Sequence, residues 1–589
     1  MVSMGDDMTG RRPVVPARPP FGRWLRESTS GLIGLALVIG AGAGLGAVVF
    51  RWLITTFTHL FSGQADYSAA GRVAHPWFPA LGPWFLLLAP VVAGLVYGPL
   101  VQKFAPEARG HGVPEVMYAV AERGGRIPAQ VSAVKALASA LTIGSGGSVG
   151  REGPIVQIGS ALGSTLGRVA KLPESRLRVL VACGAAGGIA ATFNAPLAGP
   201  FFAMELILRD FAAESFGAVV LASVTASVVG RAVFGDVPFL DLPPFTLRNP
   251  VEYLLFIVLG LVVGACGVLF TRVLYLVEDL CDRLWRGPEW LRPAVGGVFL
   301  GGLLLLLPQM YGVGYPVLQN AVEGKYVLGF LLLLLAGKLV ATSLTIGIGG
   351  SGGVFAPSLF IGAMAGTAFG IVVHTWLPGV TASPGVYGLI GMGAAFAGAA
   401  RAPITAVIVL FELTGQYTII LPMLTAIVIA TATSRALGKD TIYTLKLRRR
   451  GVDLDRSPGA RRLAGTRVEA VAEPLPEPLD PGLPLERAAH ALAVSGHGIL
   501  PVVGADGCYQ GCVTARAVAE ALADQHEGVV GDLAELPPLV TGESSLADAL
   551  TALTNAPGTG LPVLAGEGRL SGWVTHQAVL TALEPATAQ

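Results

Sequence analysis

Charged residues are scarce in this sequence. Asp, Glu, Lys and Arg make up 13% of its 589 residues, against about 25% in soluble chains. Hydrophobic residues make up 52%, and the mean hydropathy is +0.64. This balance argues against a soluble enzyme and predicts a protein that crosses a membrane many times. The net charge of +1 gives no indication of a nucleic-acid partner, and none is predicted.

Cysteine is also scarce. The five cysteines are scattered, at Cys183, Cys266, Cys281, Cys508 and Cys512. Cys508 and Cys512 lack the second pair of ligands that a zinc site needs. No Gly-Lys-Ser/Thr follows the glycine-rich stretches, as a phosphate-binding loop would require. No disulfide framework, metal site, cofactor or enzymatic activity is therefore predicted.

Basic residues flank the apolar part of the chain, which spans about 31–447. The segment 1–30 holds no signal-peptide core but carries Arg11, Arg12, Arg18, Arg23 and Arg26. The last apolar run is followed by Lys446, Arg448, Arg449 and Arg450. Because positive charge is enriched in cytoplasmic segments, we predict that both termini are cytoplasmic. The predicted location is the plasma (inner) membrane.

A long internal repeat divides the apolar part into halves of about 31–234 and 250–447. The stretch from Lys135, KALASALTIGSGGSVGREGPIVQIGSALG, aligns with the stretch from Lys338, KLVATSLTIGIGGSGGVFAPSLFIGAMAG. Shorter stretches repeat on either side: GHGVP with GVGYP, and NAPLAGPFFAMEL with RAPITAVIVLFEL. Transporter repeats of this kind pack about a pseudo-two-fold axis, with the site between them. The predicted fold is an all-α polytopic membrane unit of tilted and broken helices in two inverted-repeat halves.

Three glycine-rich loops interrupt the apolar segments: GHGVP (110–114), GREGP (150–154) and GGVFAP (352–357). Proline is favoured in the first turn of a helix, so each loop predicts a helix that begins within the membrane. A helix N-terminus offers N–H groups and partial positive charge to an anion. Glycines also let helices pack closely, which is the simpler interpretation of any one loop. Their repetition in both halves, with charged Arg151 and Glu152 inside apolar sequence, favours an anion path.

The long apolar runs end after about Arg450. Residues 448–466 are predicted to be a linker, and a shorter repeat follows it. HGILPVVGADGCYQGCVTARAVAEAL (497–522) is similar to TGLPVLAGEGRLSGWVTHQAVLTAL (559–583). Each copy predicts a strand, a turn, a strand and a helix. The tail is therefore predicted to be an α/β pair of modules, at 467–526 and 527–589.

The order and spacing of GHGVPE, GREGP, GGVFAP and the final Tyr443 resemble the signature elements of the CLC family of chloride channels and transporters. The resemblance covers about 31–447. It implies transport of chloride, or a related small monovalent anion, across a lipid bilayer by a homodimer whose subunits each have their own path. The tail resembles a tandem CBS pair.

The resemblance also implies roles for individual residues. Glu152 falls on the gating glutamate, and Tyr443 falls on the tyrosine whose hydroxyl faces the central anion. Backbone amides of Val354 and Phe355, matched by those of Gly150 and Arg151, are implied to coordinate that anion. The complete predicted anion-binding set is Gly110, His111, Gly112, Val113, Gly150, Arg151, Glu152, Gly353, Val354, Phe355 and Tyr443.

Three positions depart from the family pattern. His111 stands where most chloride-preferring members have Ser, which leaves the choice among chloride, nitrate and other anions open. Leu206 stands where proton-coupled members have a second glutamate, and Met117 also lacks a carboxylate. Because Leu cannot relay a proton, we predict channel-like passive flux gated by Glu152. Proton-coupled chloride/H+ antiport is the alternative, and a nitrate-selective or other-anion-selective member is a further one.

Two other classes fit less well. A cation-coupled or amino-acid-coupled transporter would need carboxylates in both halves, but Phe355 replaces Glu152 in the second. A receptor-like protein would show no anion flux.

The tail departs from nucleotide-binding CBS pairs as well. Thr514 and Thr575 are followed three residues later by Ala517 and Ala578, where such pairs have an Asp that holds ribose. We therefore predict a structural, dimerising role for the tail rather than nucleotide binding.

Overall fold

The computed structural model describes residues 21–235, 247–455, 458–565 and 568–583. The chain forms two compact units that divide between Val452 and Asp453. Of the predicted N-terminal segment, residues 1–20 lie outside the described residues, and with them Arg11, Arg12 and Arg18.

The membrane unit is helical, and its two halves follow the repeat. The first half contains α1 (Phe21–Glu27), α2 (Thr29–Ser62), α3 (Phe85–Phe104), α4 (Val113–Glu122), α5 (Gln130–Gly144), α6 (Glu152–Val169), α7 (Glu174–Phe193), α8 (Ala198–Phe202), which continues as a π-helical turn (Ala203–Leu208), and α9 (Ala213–Phe234).

The second half repeats this order. It contains α10 (Glu252–Leu284), α11 (Arg292–Leu306), α12 (Tyr315–Val322), α13 (Leu328–Gly347), α14 (Phe355–Trp376), α15 (Pro384–Ala400), α16 (Pro403–Thr414) and α17 (Ile420–Leu437). Each is the counterpart of the helix eight places earlier. The short α18 (Thr444–Arg449) ends the unit.

Among the described residues, eight helices are long and apolar enough to cross a membrane. They are Thr29–Ser62, Pro79–Phe104, Glu174–Phe193, Ala213–Phe234, Glu252–Leu284, Leu328–Gly347, Phe355–Trp376 and Ile420–Leu437. Shorter helices, α4 and α12 among them, lie between these spans. Broken helices at membrane depth are tolerated where they are buried or line a polar path.

Close glycine contacts hold the same pair of helices together in each half. A Cβ on Gly159 of α6 would lie 2.1 Å from the Gly184 carbonyl oxygen of α7. In the second half, a Cβ on Gly362 of α14 would lie 2.3 Å from the Gly391 carbonyl oxygen of α15. Backbones this close leave no room for a side chain. At these positions the glycines serve packing rather than anion binding.

The tail unit is a small α/β structure. Its helices and strands are α19 (Pro458–Gly465), α20 (Leu485–Ser495), β1 (Ile499–Val503), β2 (Tyr509–Thr514), α21 (Ala515–Ala523), β3 (Val540–Thr541), α22 (Leu546–Thr554), β4 (Gly560–Leu564), β5 (Leu570–Thr575) and α23 (His576–Thr581). Strands β1 and β2 pair antiparallel, and a second sheet has the order β3-β4-β5. Each module thus has the strand, strand and helix that the repeat predicts.

Two boundaries differ from those predicted. Val468 packs in the core of the second module, and Glu473 pairs with Trp573 of β5, although both were placed in the first module. The predicted linker starts too early, because Arg450 forms an ion pair with Glu115 inside the membrane unit. A pairing partner a hundred or more residues away cannot be read from the local sequence pattern.

Candidate functional site

The carboxylate of Glu152 lies at the N-termini of two helices. Glu152 is the first residue of α6 and is 1% exposed. Its Oε1 accepts a hydrogen bond from the Tyr315 hydroxyl at 2.7 Å, and its Oε2 accepts one from the Ala356 N–H at 3.4 Å. Ala356 is the second residue of α14. The carboxylate therefore occupies a position where the partial positive charge of α6 and α14 attracts an anion.

A two-residue backbone bridge joins the repeated loops next to this carboxylate. The Gly150 N–H donates to the Gly353 carbonyl at 2.8 Å, and the Gly353 N–H donates to the Gly150 carbonyl at 2.6 Å. A Cβ on Gly150 would lie 1.9 Å from Glu152 Oε2, so a side chain there would displace the carboxylate. The Gly150 N–H, which the family resemblance assigns to the anion, donates to the Gly353 carbonyl in this structure, and its role in anion binding stays a prediction.

Val354 and Phe355 lie directly before the N–H that Glu152 uses. Val354 precedes α14 and Phe355 is its first residue, and the first N–H groups of a helix have no partner within it. The Phe355 ring packs between Phe193 and Phe396, with centroids 5.6 and 4.5 Å away. Glu152 and Phe355 occupy matched positions in the two repeats, and of these two residues only Glu152 places a carboxylate at the helix ends.

The first loop packs against the other two. The Gly110 N–H donates to the Gly350 carbonyl at 3.2 Å, and the Gly352 N–H donates to the Gly110 carbonyl at 3.3 Å. Gly112 has φ +85°, and a Cβ on it would lie 2.6 Å from the Gly153 carbonyl oxygen. Val113 then begins α4. The three loops that the sequence singles out thus meet at one place.

His111 and Tyr443 are both buried at this meeting point, each 1% exposed. Neither ring nitrogen of His111 has a hydrogen-bond partner among the described residues. Its ring lies edge-on to Tyr275, with centroids 6.1 Å apart. The Tyr275 hydroxyl donates to the Ile442 carbonyl at 2.7 Å, next to Tyr443 in the chain.

The Arg151 side chain lies among aromatic rings. Its guanidinium carbon is 5.4 Å from the centroid of the Tyr315 ring and 5.9 Å from that of Phe193. A guanidinium over an aromatic face is stabilised electrostatically. Arg151 therefore contacts Tyr315, the residue whose hydroxyl holds the Glu152 carboxylate.

Two buried lysines that sequence reasoning missed hold the loops in place. The Lys135 ammonium donates to the carbonyls of Ala108 and Gly110, both at 2.8 Å. The Lys338 ammonium donates to Ser148 Oγ at 2.9 Å and to the Val313 carbonyl at 2.9 Å. Both lysines are 0% exposed. The available signal was their matched position at the start of the two aligned stretches.

Leu206 and Met117 are buried and apolar, 6% and 3% exposed. The neighbouring Glu205 accepts hydrogen bonds from the Ile404 and Thr405 N–H groups of α16, at 3.2 and 2.8 Å. Its repeat counterpart, Glu412 of α16, accepts hydrogen bonds from the N–H groups at the start of α8. Each glutamate thus caps the helix of the other half.

Ion pairs hold α18, the helix that follows Tyr443. Lys446 pairs with Glu278 at 3.3 Å, Arg449 with Asp279 at 2.6 Å, and Arg450, just past the helix, with Glu115 at 2.8 Å. Glu278 and Asp279 belong to α10, and Glu115 belongs to α4. Tyr443 is therefore positioned from both halves of the membrane unit.

The family model described as voltage gated chloride channel matches residues 92–435, and the CBS domain model matches residues 530–585. The chain belongs to the voltage gated chloride channel (CLC) family. The predicted family and fold class are thereby confirmed, and the chain is a multi-pass membrane protein with a C-terminal CBS domain.

Several relatives in this family are named as exchangers. The H(+)/Cl(-) exchange transporter ClcA of Vibrio cholerae serotype O1 is 35% identical over 428 residues, which are 70% of this chain and 88% of the relative. A relative from Ralstonia nicotianae, named chloride channel protein ClcB-like, is 33% identical over 433 residues, which are 73% of this chain and 99% of the relative.

Solved structures give the same fold. A slow cyanobacterial Cl-/H+ antiporter is 26% identical, with a TM-score of 0.63 over 72% of this chain and 99% of that one. A eukaryotic CLC transporter is 22% identical, with a TM-score of 0.61 over 93% of this chain and 97% of that one.

These comparisons overturn the prediction of channel-like passive flux. That prediction depended on Leu206 alone, whereas the exchange transporter ClcA and the cyanobacterial antiporter favour the proton-coupled alternative. One apolar side chain excludes proton transfer at its own position only. It does not exclude transfer through another group.

Proposed function

We propose that this protein exchanges chloride for protons across a membrane, with Glu152 as the group at which the two ions compete. The names of its relatives support the reaction. The observation that carries the proposal is the position of the Glu152 carboxylate, across the N-termini of α6 and α14 with bonds from Tyr315 and Ala356.

Competition at one position couples the two ions. The ionised carboxylate is an anion held by helix ends, so it occupies the place that chloride would take. Protonation removes its charge and with it the attraction to those ends. Chloride then displaces the neutral side chain, which carries its proton away. Backbone dipoles bind chloride weakly enough for it to leave again, as conduction requires.

The remaining predicted residues take supporting roles in this proposal. The N–H groups of Val354 and Phe355 and the hydroxyl of Tyr443 are assigned to the central anion. Gly110, Gly112 and Gly353 shape the loops, because side chains there would collide with neighbouring groups. Arg151 orients Tyr315, and Val113 starts α4.

The assembly and location are also proposals. We assign a homodimer in the lipid bilayer of the plasma (inner) membrane with cytoplasmic termini. Large apolar side chains support this on the outer surface of the membrane unit: Val228, Leu421 and Val428 are 61%, 65% and 57% exposed. The CBS modules are assigned to 467–526 and 527–589, with the boundary exceptions described above.

Adenine-nucleotide binding is not part of the proposed function. The hydroxyls of Thr514 and Thr575 accept hydrogen bonds from the N–H groups of Ala517 and Ala578, both at 3.1 Å. These threonines cap α21 and α23, as Thr does at a helix start. The alanines offer no group to hold a ribose.

The proposal is tested with purified protein in liposomes under a chloride gradient. We expect chloride leaving the vesicles to drive proton uptake against an opposing pH gradient. Glu152→Gln should abolish the proton movement while chloride still crosses, because an amide neither titrates nor competes as an anion. Glu323→Gln, on the surface at the end of α12, is the matched control and should retain coupling.

Chloride flux without proton movement in the parent protein would contradict exchange. Full coupling in Glu152→Gln would contradict the assignment of Glu152. A parallel chloride-electrode trace identifies preparations that failed to fold, since these release no chloride at all.

A further inference from the structure

His111 is the exceptional member of a small class. The buried His, Lys, Arg and Glu side chains of the described residues are His75, His111, Lys135, Glu152, Glu252, Arg292 and Lys338. The other six have hydrogen-bond or ion-pair partners, whereas neither ring nitrogen of His111 has one within the described part of the chain. Burying an imidazole without a partner costs free energy. A ring kept in this state is available to exchange a proton or a ligand.

The position of His111 suits a residue that carries a proton to or from Glu152. A Cβ on Gly153 would lie 1.9 Å from the His111 carbonyl oxygen, so the His111 backbone touches the chain directly after Glu152. On its other side the ring meets Tyr275, which bonds to the segment leading into α18. His111 therefore lies between the start of α6 and the membrane face at which α18 ends.

The charges around the His111 ring favour protonation of its imidazole only when an anion is bound nearby. The cations that act on it are Lys135 of α5, Lys446 of α18 and Arg450. Lys446 is paired with Glu278 and Arg450 with Glu115, whereas Lys135 is held by carbonyl oxygens. The phenol of Tyr275, whose ring lies edge-on to that of His111, is a further titratable neighbour. Burial opposes an imidazolium most, and the nearby cations add to this; chloride in the path would supply a compensating negative charge.

We propose that His111 carries the proton between Glu152 and the face at which α18 ends, and that it does so with chloride bound beside it. This inference rests on the proposed exchange function. One ring nitrogen takes a proton from water at that face, and the imidazolium delivers a proton to a Glu152 carboxylate oxygen. The ring returns to neutral imidazole. Glu152, now a carboxylic acid, releases the proton on the opposite side.

The first test measures the number of protons moved per chloride in liposomes. His111→Gln keeps an amide donor but cannot titrate, and we expect this ratio to fall at least tenfold, whatever the chloride rate. His75→Gln is the matched control, since His75 is also buried but has backbone neighbours at both ring nitrogens. Its ratio should equal that of the parent. If the parent and His111→Gln move equal numbers of protons per chloride, the inference about His111 is overturned while the proposed exchange function stands. If the parent itself moves no protons, the proposed function is overturned.

The second test does not need transport. Chloride is added to unbuffered detergent-solubilised protein near pH 6.5, and proton uptake is read with a pH electrode. In the Glu152→Gln background we expect uptake approaching one proton per chain. The Glu152→Gln/His111→Gln double variant should show less than a tenth of that uptake. Equal uptake by the two would overturn the inference even if His111→Gln transports no chloride.

Discussion

The Tyr315 hydroxyl makes the short side-chain hydrogen bond to the Glu152 carboxylate, at 2.7 Å. The Ala356 N–H donates to it at the longer distance of 3.4 Å. Tyr315 lies 163 residues along the chain, in the second half. A hydrogen bond to a charged group contributes about 1.5–3 kcal/mol. This one bond therefore sets much of the difference between a carboxylate in the path and one that has left it.

Removing the Tyr315 hydroxyl should make the gate easier to open. For Tyr315→Phe we expect chloride turnover at neutral pH to rise several-fold, because the ionised carboxylate loses its strongest partner while the ring and its contact with Arg151 remain. Chloride efflux from liposomes measures this. Tyr326→Phe removes a hydroxyl near the end of the same helix, where it accepts only a 3.4 Å bond from Asn320, and should leave turnover unchanged. Equal turnover in Tyr315→Phe and the parent would show that the hydroxyl does not restrain the gate.

Helices α8 and α16 stabilise each other through their glutamates. Glu205, in the turn that continues α8, accepts from the start of α16, and Glu412 of α16 accepts from the Leu197 and Ala198 N–H groups at 2.8 and 2.6 Å. N–H groups at a helix start have no partner within the helix, so in apolar surroundings each cap satisfies donors that would otherwise be costly to bury. The carboxylates are therefore structural anchors between the halves.

Truncating either cap should cost stability without affecting coupling. For Glu412→Ala we expect a loss of about 0.5–2 kcal/mol, the usual cost of removing a helix cap. Thermal unfolding in detergent should show the lower midpoint. Glu205→Gln keeps one acceptor oxygen and should lose less stability, with an unchanged proton-to-chloride ratio. A reduced ratio in Glu205→Gln would instead place Glu205 on the proton path.

The sequence predicts the starts of these helices better than their contacts. Pro114, Pro154 and Pro357 lie in the first turns of α4, α6 and α14, as their loops predict, because proline and glycine act through local backbone preferences. The bridge between Gly150 and Gly353 was not predictable, because the two loops are 203 residues apart in the sequence and only the folded structure brings them together. The same holds for Lys135 and Lys338, whose ammonium groups donate to carbonyl and hydroxyl oxygens that the fold brings near.

At the scale of the whole molecule, the two halves have matching helices and loops, but they carry different side chains at some matched positions. Lys135 and Lys338 occupy matched positions and hold matched loops. Glu152 and Phe355 occupy matched helix starts, yet one is a charged competitor for the anion and the other is packed among rings. Symmetry thus builds the path, and the departure from it at Glu152 supplies the carboxylate that competes with the anion.

Ion pairs within the membrane unit anchor its last helix. Residues of α18 and Arg450 pair with Glu278 and Asp279 of α10 and with Glu115 of α4. The position of Tyr443 should therefore not depend on residues 453–589.

A chain that ends at Val452 should still exchange chloride for protons with the parent ratio. Its α18 ion pairs remain, so Tyr443 stays beside the path. Paired chloride-electrode and pH-electrode traces from liposomes measure the ratio. A chain that ends at Thr441 is the matched comparison: it lacks Tyr443 and α18 and should lose selective chloride transport. Loss of coupling in the longer truncation, with its thermal midpoint preserved, would show that the tail takes part in transport, because the membrane unit would then be folded but incomplete.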